Sequence, residues 1–581
     1  MSLPLAARTL DTMVPRSFVS LPCELRHMIY KYYFTTEQGY HFNAASRKLT
    51  TADGEPIDLA LIYTCRLIAE ETKAMPFLYN DISFKTFYQE NLSLWLCRFE
   101  GLVNGQFQHQ MQLINDLCPF ITREMHLLVK ERFPWFTTHL SNVLAYRRNL
   151  SSRLSYGRNS RLRLRDGWLD IHHGRLKMDG TPPDDDIYRD ICSNDRAHSA
   201  HRAAIEFTLR LLCEVSDSQF VARVNELLVD WEYSGGARLS NFLDQCYKPW
   251  RFPSSLSDLD DMGRRLGDGQ GWARINSWET SIRHEKQYRL LHRFSAVSAA
   301  IGFLDALSLD KRSSLRNINI HEDRVSSGYP DGHAIGLIPF CQENKRLRIR
   351  HKLSMVRNLF DRASLSQVGA FDIIQDLEDQ GDQGGRWTNE DFLAHTADGL
   401  YPIVANCLAE AMFLPDAGMP DGSYTLLLDA EDATDMCSTI FQQDILRKEA
   451  TRIVLARALK EDPDGDWVNE CELEIKKSLK AHAGALEHLT NKTSFLESNF
   501  YPGHLKNVDA LMAYYKAIGM EQCAFDLRWW ENYDYDFTLF SHVPVYGPLL
   551  SENFESRKIP GYPPEEYAMF SKQLRDFLVF G

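Results

Sequence analysis

No C-x-x-C pair occurs among the twelve cysteines, which run from Cys23 to Cys523 at irregular intervals. A tetrahedral zinc site or a disulfide framework needs paired, regularly spaced cysteines, so neither is expected. The thiols read as buried side chains of a protein kept in a reducing compartment. Also missing is any run of about 18 apolar residues that could cross a membrane. The leading stretch MSLPLAARTLDTMVPRSF lacks a continuous apolar core of signal-peptide length and carries Asp11. That argues against secretion and for cytosol or nucleus. There is no G-x-S-x-G elbow, no G-x-x-x-x-G-K-[ST] loop and no H-E-x-x-H helix, so no catalytic residue, cofactor or metal is assigned and the chain is not expected to be an enzyme.

The near matches to chemical motifs fail on spacing. Asp462-x-Asp464-x-Asp466 begins like a calcium loop, but Trp467 stands where the turn needs glycine and Leu473 where a bidentate Glu is needed. Gly267, Gly269 and Gly271 follow no strand and do not have dinucleotide-binding spacing, so Gly263–Gly271 reads as a loop. His172-His173 and His198-x-x-His201, with Cys192 and Cys213 nearby, match no zinc spacing and read as surface histidines.

What is present is ordinary globular material: 581 residues, 44% hydrophobic and 25% charged, enough for roughly two to four domains. The net charge of −14 argues against a general nucleic-acid binder, which needs a positive surface to displace counterions from phosphates.

The most informative stretch is Ser17–Phe34, SFVSLPCELRHMIYKYYF. Pro22 suits a first helical position because its φ is already helical and its missing N–H would have had no partner there. Glu24 then sits in the first turn, at the positive end of the helix dipole. Leu21, Leu25, Met28, Ile29 and Tyr32 share one stripe, which is expected to face the core. Cys23, Tyr30, Tyr33 and Phe34 lie on the opposite side, and only Glu24, His27 and Lys31 form a clearly polar strip. A helix with two apolar sides is expected to be covered twice, by its own domain and by a protein partner. A second helix is expected over Ile57–Lys73, with Ile57, Leu61, Cys65, Ile68 and Thr72 on one stripe and Leu59, Tyr63 and Leu67 on another. Between the two, Thr35–Pro56 reads as a hairpin or an ordered loop. The candidate partner-contacting residues are Leu21, Pro22, Leu25, Ile29, Tyr30 and Tyr33 of the first helix with Leu59 and Tyr63 of the second.

The Leu21-Pro22-x-Glu24-Leu25 start followed by Ile29 and Tyr30, then a Cys65-Arg66 helix, resembles the F-box, whose leading helix docks on the Skp adaptor of cullin ubiquitin ligases. Glu24-Leu25-Arg26 is also the E-x-R element of a related fungal domain. Together with Ala52–Thr72, Gly332–Asn344 and Leu414–Ala430, the chain resembles a large group of filamentous-fungal proteins with an F-box-like head and an α-rich body. The resemblance implies a substrate-recruiting adaptor. The other readings are an enzyme whose site is assembled from scattered residues, and a helix pair used only for packing within the chain.

Further along, helix is expected to about Leu117, a short buried strand at Arg123–Lys130 whose Leu-Leu-Val run leaves helix as the alternative, two amphipathic helices in His198–Trp231 and a long helix over Ser281–Leu307. Arg147–Arg165, with seven arginines and no acid, reads as a solvated loop or an import signal. Leu315–His321 and Lys345–His351 alternate apolar and polar residues as strands do, with a helical stretch at His333–Cys341 between them. That is one turn of a leucine-rich-repeat-like unit or a single βαβ element. If Leu347 and Ile349 point inward, Arg348 and Arg350 project outward beside Lys345 and Lys352 as a basic face. Ser423–Leu428 reads as a strand among helices at Glu390–Phe413, Met436–Lys460, Val468–Leu489, Leu505–Met520 and Pro564–Phe580. Phe525–Tyr546 holds eight aromatics and reads as a wrapping segment. The expected fold is mainly α (α+β), a multi-helical body with a few short strands and a small N-terminal F-box-like module. Its parts are 17–90, the module with an inserted hairpin; 91–375, an α-rich middle region with short strands; and 386–581, a mainly helical C-terminal region.

Overall fold

The structure is a computed structural model that describes residues 18–138, 140–141, 197–228, 238–251, 256–266, 272, 286–365, 389–463, 465, 467–468, 483–528 and 552–558. Arg147–Arg165, Asp372–Gly385, most of Phe525–Tyr546 and Pro564–Phe580 lie outside the described residues.

The chain has the expected mainly helical α+β fold. Its N-terminal helix α1 (Cys23–Phe34) leads into the expected hairpin, β1 (Tyr40–Asn43) and β2 (Lys48–Thr50), which pair antiparallel. The second helix is shorter than the pattern predicts: Ala60–Tyr63 is a 3-10 turn, Cys65 is extended, and α2 covers only Arg66–Thr72. The short helix α3 (Met75–Tyr79) and strand β3 (Ile82–Lys85) follow.

Beyond β3 the strands are β4 (Phe87–Tyr88), β5 (Lys286–Leu290), β6 (Arg293–Phe294), β7 (Asn317–Glu322), β8 (Arg348–Ser354), β9 (Tyr424–Asp429), β10 (Leu496–Ser498) and β11 (Phe554–Lys558). Seven of the strands form one sheet in the order β10-β9-β8-β7-β3-β1-β2. Apart from the β2 edge every pairing is parallel, and the parallel strands follow one another in chain order. The two strands read from Leu315–His321 and Lys345–His351 are therefore neighbours in a longer, singly wound series. The connections are of unequal length, so the series has no repeat of fixed period.

Alternation along these strands separates the faces. Tyr40, Ile82, Ile318, Ile349 and Tyr424 stand in one register row and Phe84, Ile320, His351, Leu426 and Leu496 in the next, all buried. All of these but Tyr40 and His351 pack with residues of helices Ala296–Ala306, Ile338–Glu343, Asn389–Phe413 and Ala483–Asn491 in one continuous core. Because this core takes in β3 and β9 alike, the expected boundaries at 90/91 and 375/386 do not separate independent cores.

A second core lies entirely between β4 and β5. It joins α4 (Ser93–Leu117) and α5 (Arg123–Arg132) to helices His198–Leu212, Ser218–Leu227, Leu239–Gln245 and Leu256–Leu266. Strands β4 and β6 close the neck of this helical block, with the Phe87 and Phe294 rings stacked at 4.8 Å. Within the block the strand expected at Arg123–Lys130 is helix α5, because the Thr122 side chain caps it by accepting from the Met125 N–H at 3.2 Å. Gly263 belongs to a helix rather than to a loop, and its missing Cβ gives room to the Trp272 ring. His201 is buried against Trp135 rather than on the surface.

The long helix expected over Ser281–Leu307 is split. Ser295 caps a helix that starts only at Ala296, and Lys286–Leu290 pairs antiparallel with β11. Replacing Ile320 by Ala, in the buried row, is expected to cost roughly 2–5 kcal/mol of stability. Lys85→Ala, on the outward face, is expected to stay within about 0.5 kcal/mol. Urea denaturation of the two variants measures the contrast.

Candidate functional site

The N-terminal module presents the most distinctive surface, and its orientation is the reverse of the expected one. Arg26, Tyr30 and Phe34, spaced four apart, form the buried side of α1. Tyr30 is 0% exposed, whereas Met28 is 68% and Tyr32 89% exposed. Leu25 and Ile29 complete an outward apolar stripe with them, and Tyr33, Tyr63 and Leu67 are exposed as well.

The choice of side is set by Glu71 of α2. The Arg26 guanidinium donates to both Glu71 carboxylate oxygens, and the Tyr30 hydroxyl donates to Oε2 at 2.8 Å. Asn80 secures the end of the helix by donating to the Phe34 carbonyl at 2.7 Å. Around this lattice Tyr30, Phe34, Ile68 and Met75 make a small core. With its charge met, Arg26 can be buried at little cost, whereas an unpaired guanidinium could not.

Of the expected partner-contacting residues, Pro22, Leu25, Ile29, Tyr33 and Tyr63 are exposed, and Leu21 and Leu59 are half-buried. Tyr30 is a correction: it is fully buried and engaged with Glu71, so it cannot meet a partner. Met28 and Tyr32, assigned to the core by the pattern, are the most exposed apolar side chains of the helix.

A second surface is the outward face of the sheet. The register sets His41, Ser83, Asn319, Arg350 and Thr425 in one row and Lys85, His321, Lys352, Leu427 and Glu497 in the next. The expected basic face is present, since Leu347 and Ile349 are buried while Arg348 and Arg350 are exposed. Arg350 lies 4.0 Å from Glu497 and Asp81 accepts from Asn317 and Asn319, so the basic strip is bordered by acid.

Titratable groups also converge behind the sheet. Burial lifts the carboxyls of Glu322 and Glu410 to about 7 and that of Asp361 to about 8, and it lowers the His351 imidazole to about 4. Arg362 holds Asp331 through two bonds of 2.7 and 2.6 Å, and the Tyr424 hydroxyl lies 2.7 Å from His351 Nδ1. Glu322, Asp331, His351, Arg362 and Tyr424 line a cavity of about 10 Å³, room for a single water and not for a substrate. Among the described residues no group of three or more His, Cys, Asp or Glu side chains is placed to hold a metal ion.

Compared with known proteins, the chain matches no family model, no curated protein and no solved structure. Among the described residues no helix is long and apolar enough to cross a membrane.

The Glu71 lattice has a pH signature. The hydrogen bond from Arg26, more than any other cause, holds the Glu71 carboxyl at about 2, below its ordinary 4.5. A depressed carboxylate stabilises the folded module above about 4.5, and that contribution disappears as pH falls toward 2. Amide-exchange protection of residues 23–34 is therefore expected to fall between pH 4.5 and 2. In Glu71→Gln, protection is expected to be lower at neutral pH and to lose most of this dependence.

Proposed function

We propose that this chain is a protein–protein interaction protein that joins two partners, one on the outward stripe of α1 and one on the open face of the sheet. The observation that carries the reading is the stripe of Leu25, Met28, Ile29 and Tyr32, exposed on a helix whose opposite side is locked to its own module by Arg26, Tyr30 and Phe34. A short helix gains nothing in its own fold by holding four large apolar side chains in water, whereas such patches are what partner surfaces bury.

The F-box resemblance names a first partner, the Skp adaptor of a cullin ubiquitin ligase, and makes the chain a substrate-recruiting adaptor. The second partner would be the recruited target. The outward rows supply Lys85, Arg348, Arg350 and Lys352 for it, a cationic strip suited to an acidic protein segment.

Co-purification with the Skp adaptor tests the first half. Met28→Asp/Tyr32→Asp alters only exposed side chains, so it is expected to abolish co-purification and leave the melting temperature within a few degrees of the parent. Failure of the parent chain to bind the adaptor would remove the ligase reading. Arg350→Glu/Lys352→Glu is expected to leave adaptor binding intact and to reduce capture of an acidic target at least tenfold.

A further inference from the structure

A cavity of about 400 Å³ opens beside the β1–β2 hairpin, on the helix-covered side of the sheet and away from both surfaces described above. Its size falls within the roughly 300–1,000 Å³ of small-molecule sites. The five aromatic side chains that line it are Phe42, Phe87, Trp250, Phe294 and Phe303. Four of them are fixed by ring contacts: Phe87 stacks on Phe294 with the planes 8° apart, and Phe303 packs against Phe84 at 5.6 Å and Phe42 at 6.2 Å. The walls are thus held in place without an occupant.

Two features distinguish this space from a packing defect. The first is Gly302, which lines the cavity from inside helix Ala296–Ala306. Glycine is the poorest helix former after proline, and packing does not require it here, since a Cβ at this position would meet no atom within 4 Å. What glycine preserves at Gly302 is the open space.

The second is the balance of charge at the rim. Asp305 is met by Arg251 at 3.5 Å. Arg47, held at φ 53° in the hairpin turn, also lines the cavity and pairs with no acidic side chain among the described residues. One cation is therefore left over beside an apolar, aromatic-walled space. Flat apolar bodies pack well on aromatic walls, and a guanidinium is a natural partner for a carboxylate or sulfonate.

We infer that this cavity is a binding site for a small, flat apolar molecule carrying one anionic group, with Gly302 keeping the space open and Arg47 receiving the anion. The inference is independent of partner docking, because none of these residues belongs to α1 or to the outward face of the sheet.

The test titrates the full chain with 1-anilinonaphthalene-8-sulfonate, a flat aromatic anion whose fluorescence rises in apolar surroundings, and with the uncharged N-phenyl-1-naphthylamine. Saturable binding of both at one site per chain is expected. Gly302→Leu fills the space and is expected to weaken both at least tenfold. Arg47→Gly, which suits the positive φ, is expected to weaken the sulfonate at least fivefold and leave the neutral probe unchanged. Met28→Asp/Tyr32→Asp is expected to alter neither, which separates this site from the exposed stripe. Absence of saturable binding, or binding that Gly302→Leu leaves intact in a chain with unchanged melting, would overturn the site. Equal responses of the two probes to Arg47→Gly would overturn the anion preference.

Discussion

Parallel strands laid side by side in chain order leave one side of a sheet for their connections. Right-handed crossovers send each connecting helix to the same face, and the rows of Ile82, Ile318 and Ile349 and of Phe84, Ile320 and Leu426 bury against those helices. Among the described residues the opposite face keeps the polar members of the alternation, from Ser83 and Lys85 to Arg350 and Lys352. One topological constraint thus produces both the main core and the open surface. The helical block between β4 and β5 has its own core and leaves the parallel order undisturbed.

Buried charges constrain the packing behind that sheet. Asp331 with Arg362 ties the Pro330–Leu337 turn to helix Asp361–Leu365, and Glu449, paired with Arg452 in its own helix, accepts from the Tyr401 hydroxyl of helix Asn389–Phe413, all of them nearly fully buried. Such pairs add little net stability compared with apolar residues, but removing one member strands the other, so packings that separate them are penalised. The same logic operates on a smaller scale in the N-terminal module. There Glu71 decides which side of α1 is buried, and so which side is left for a partner.

Much of the architecture was legible in the residues. Period-two alternation located β7 and β8, the Asp421-Gly422 and Asp429 boundaries located β9, and the Arg348 and Arg350 side chains face outward as the pattern requires. The helices at His198–Leu212, Asn389–Phe413 and Val508–Ile518 follow their apolar periodicity. The errors have specific causes. Arg123–Lys130 reads as a strand whose Leu-Leu-Val run leaves helix possible, and a capping hydroxyl at Thr122 favours the helix. Lys286–Leu290 looked helical because its partner, β11, lies more than 250 residues away in sequence.

The candidate site shows where sequence reasoning stops. The residues by themselves determined that α1 has two apolar sides, that it begins near Pro22 and that a basic strand face would point away from the core, because these follow from local geometry and side-chain period. Only the tertiary structure decided which side of α1 is buried, since that depends on Glu71 forty-five positions from Arg26 accepting its guanidinium. Only the tertiary structure could likewise bring Phe42, Trp250 and Phe303 around one cavity, because a one-dimensional pattern records the period of a face and not what the fold sets against it.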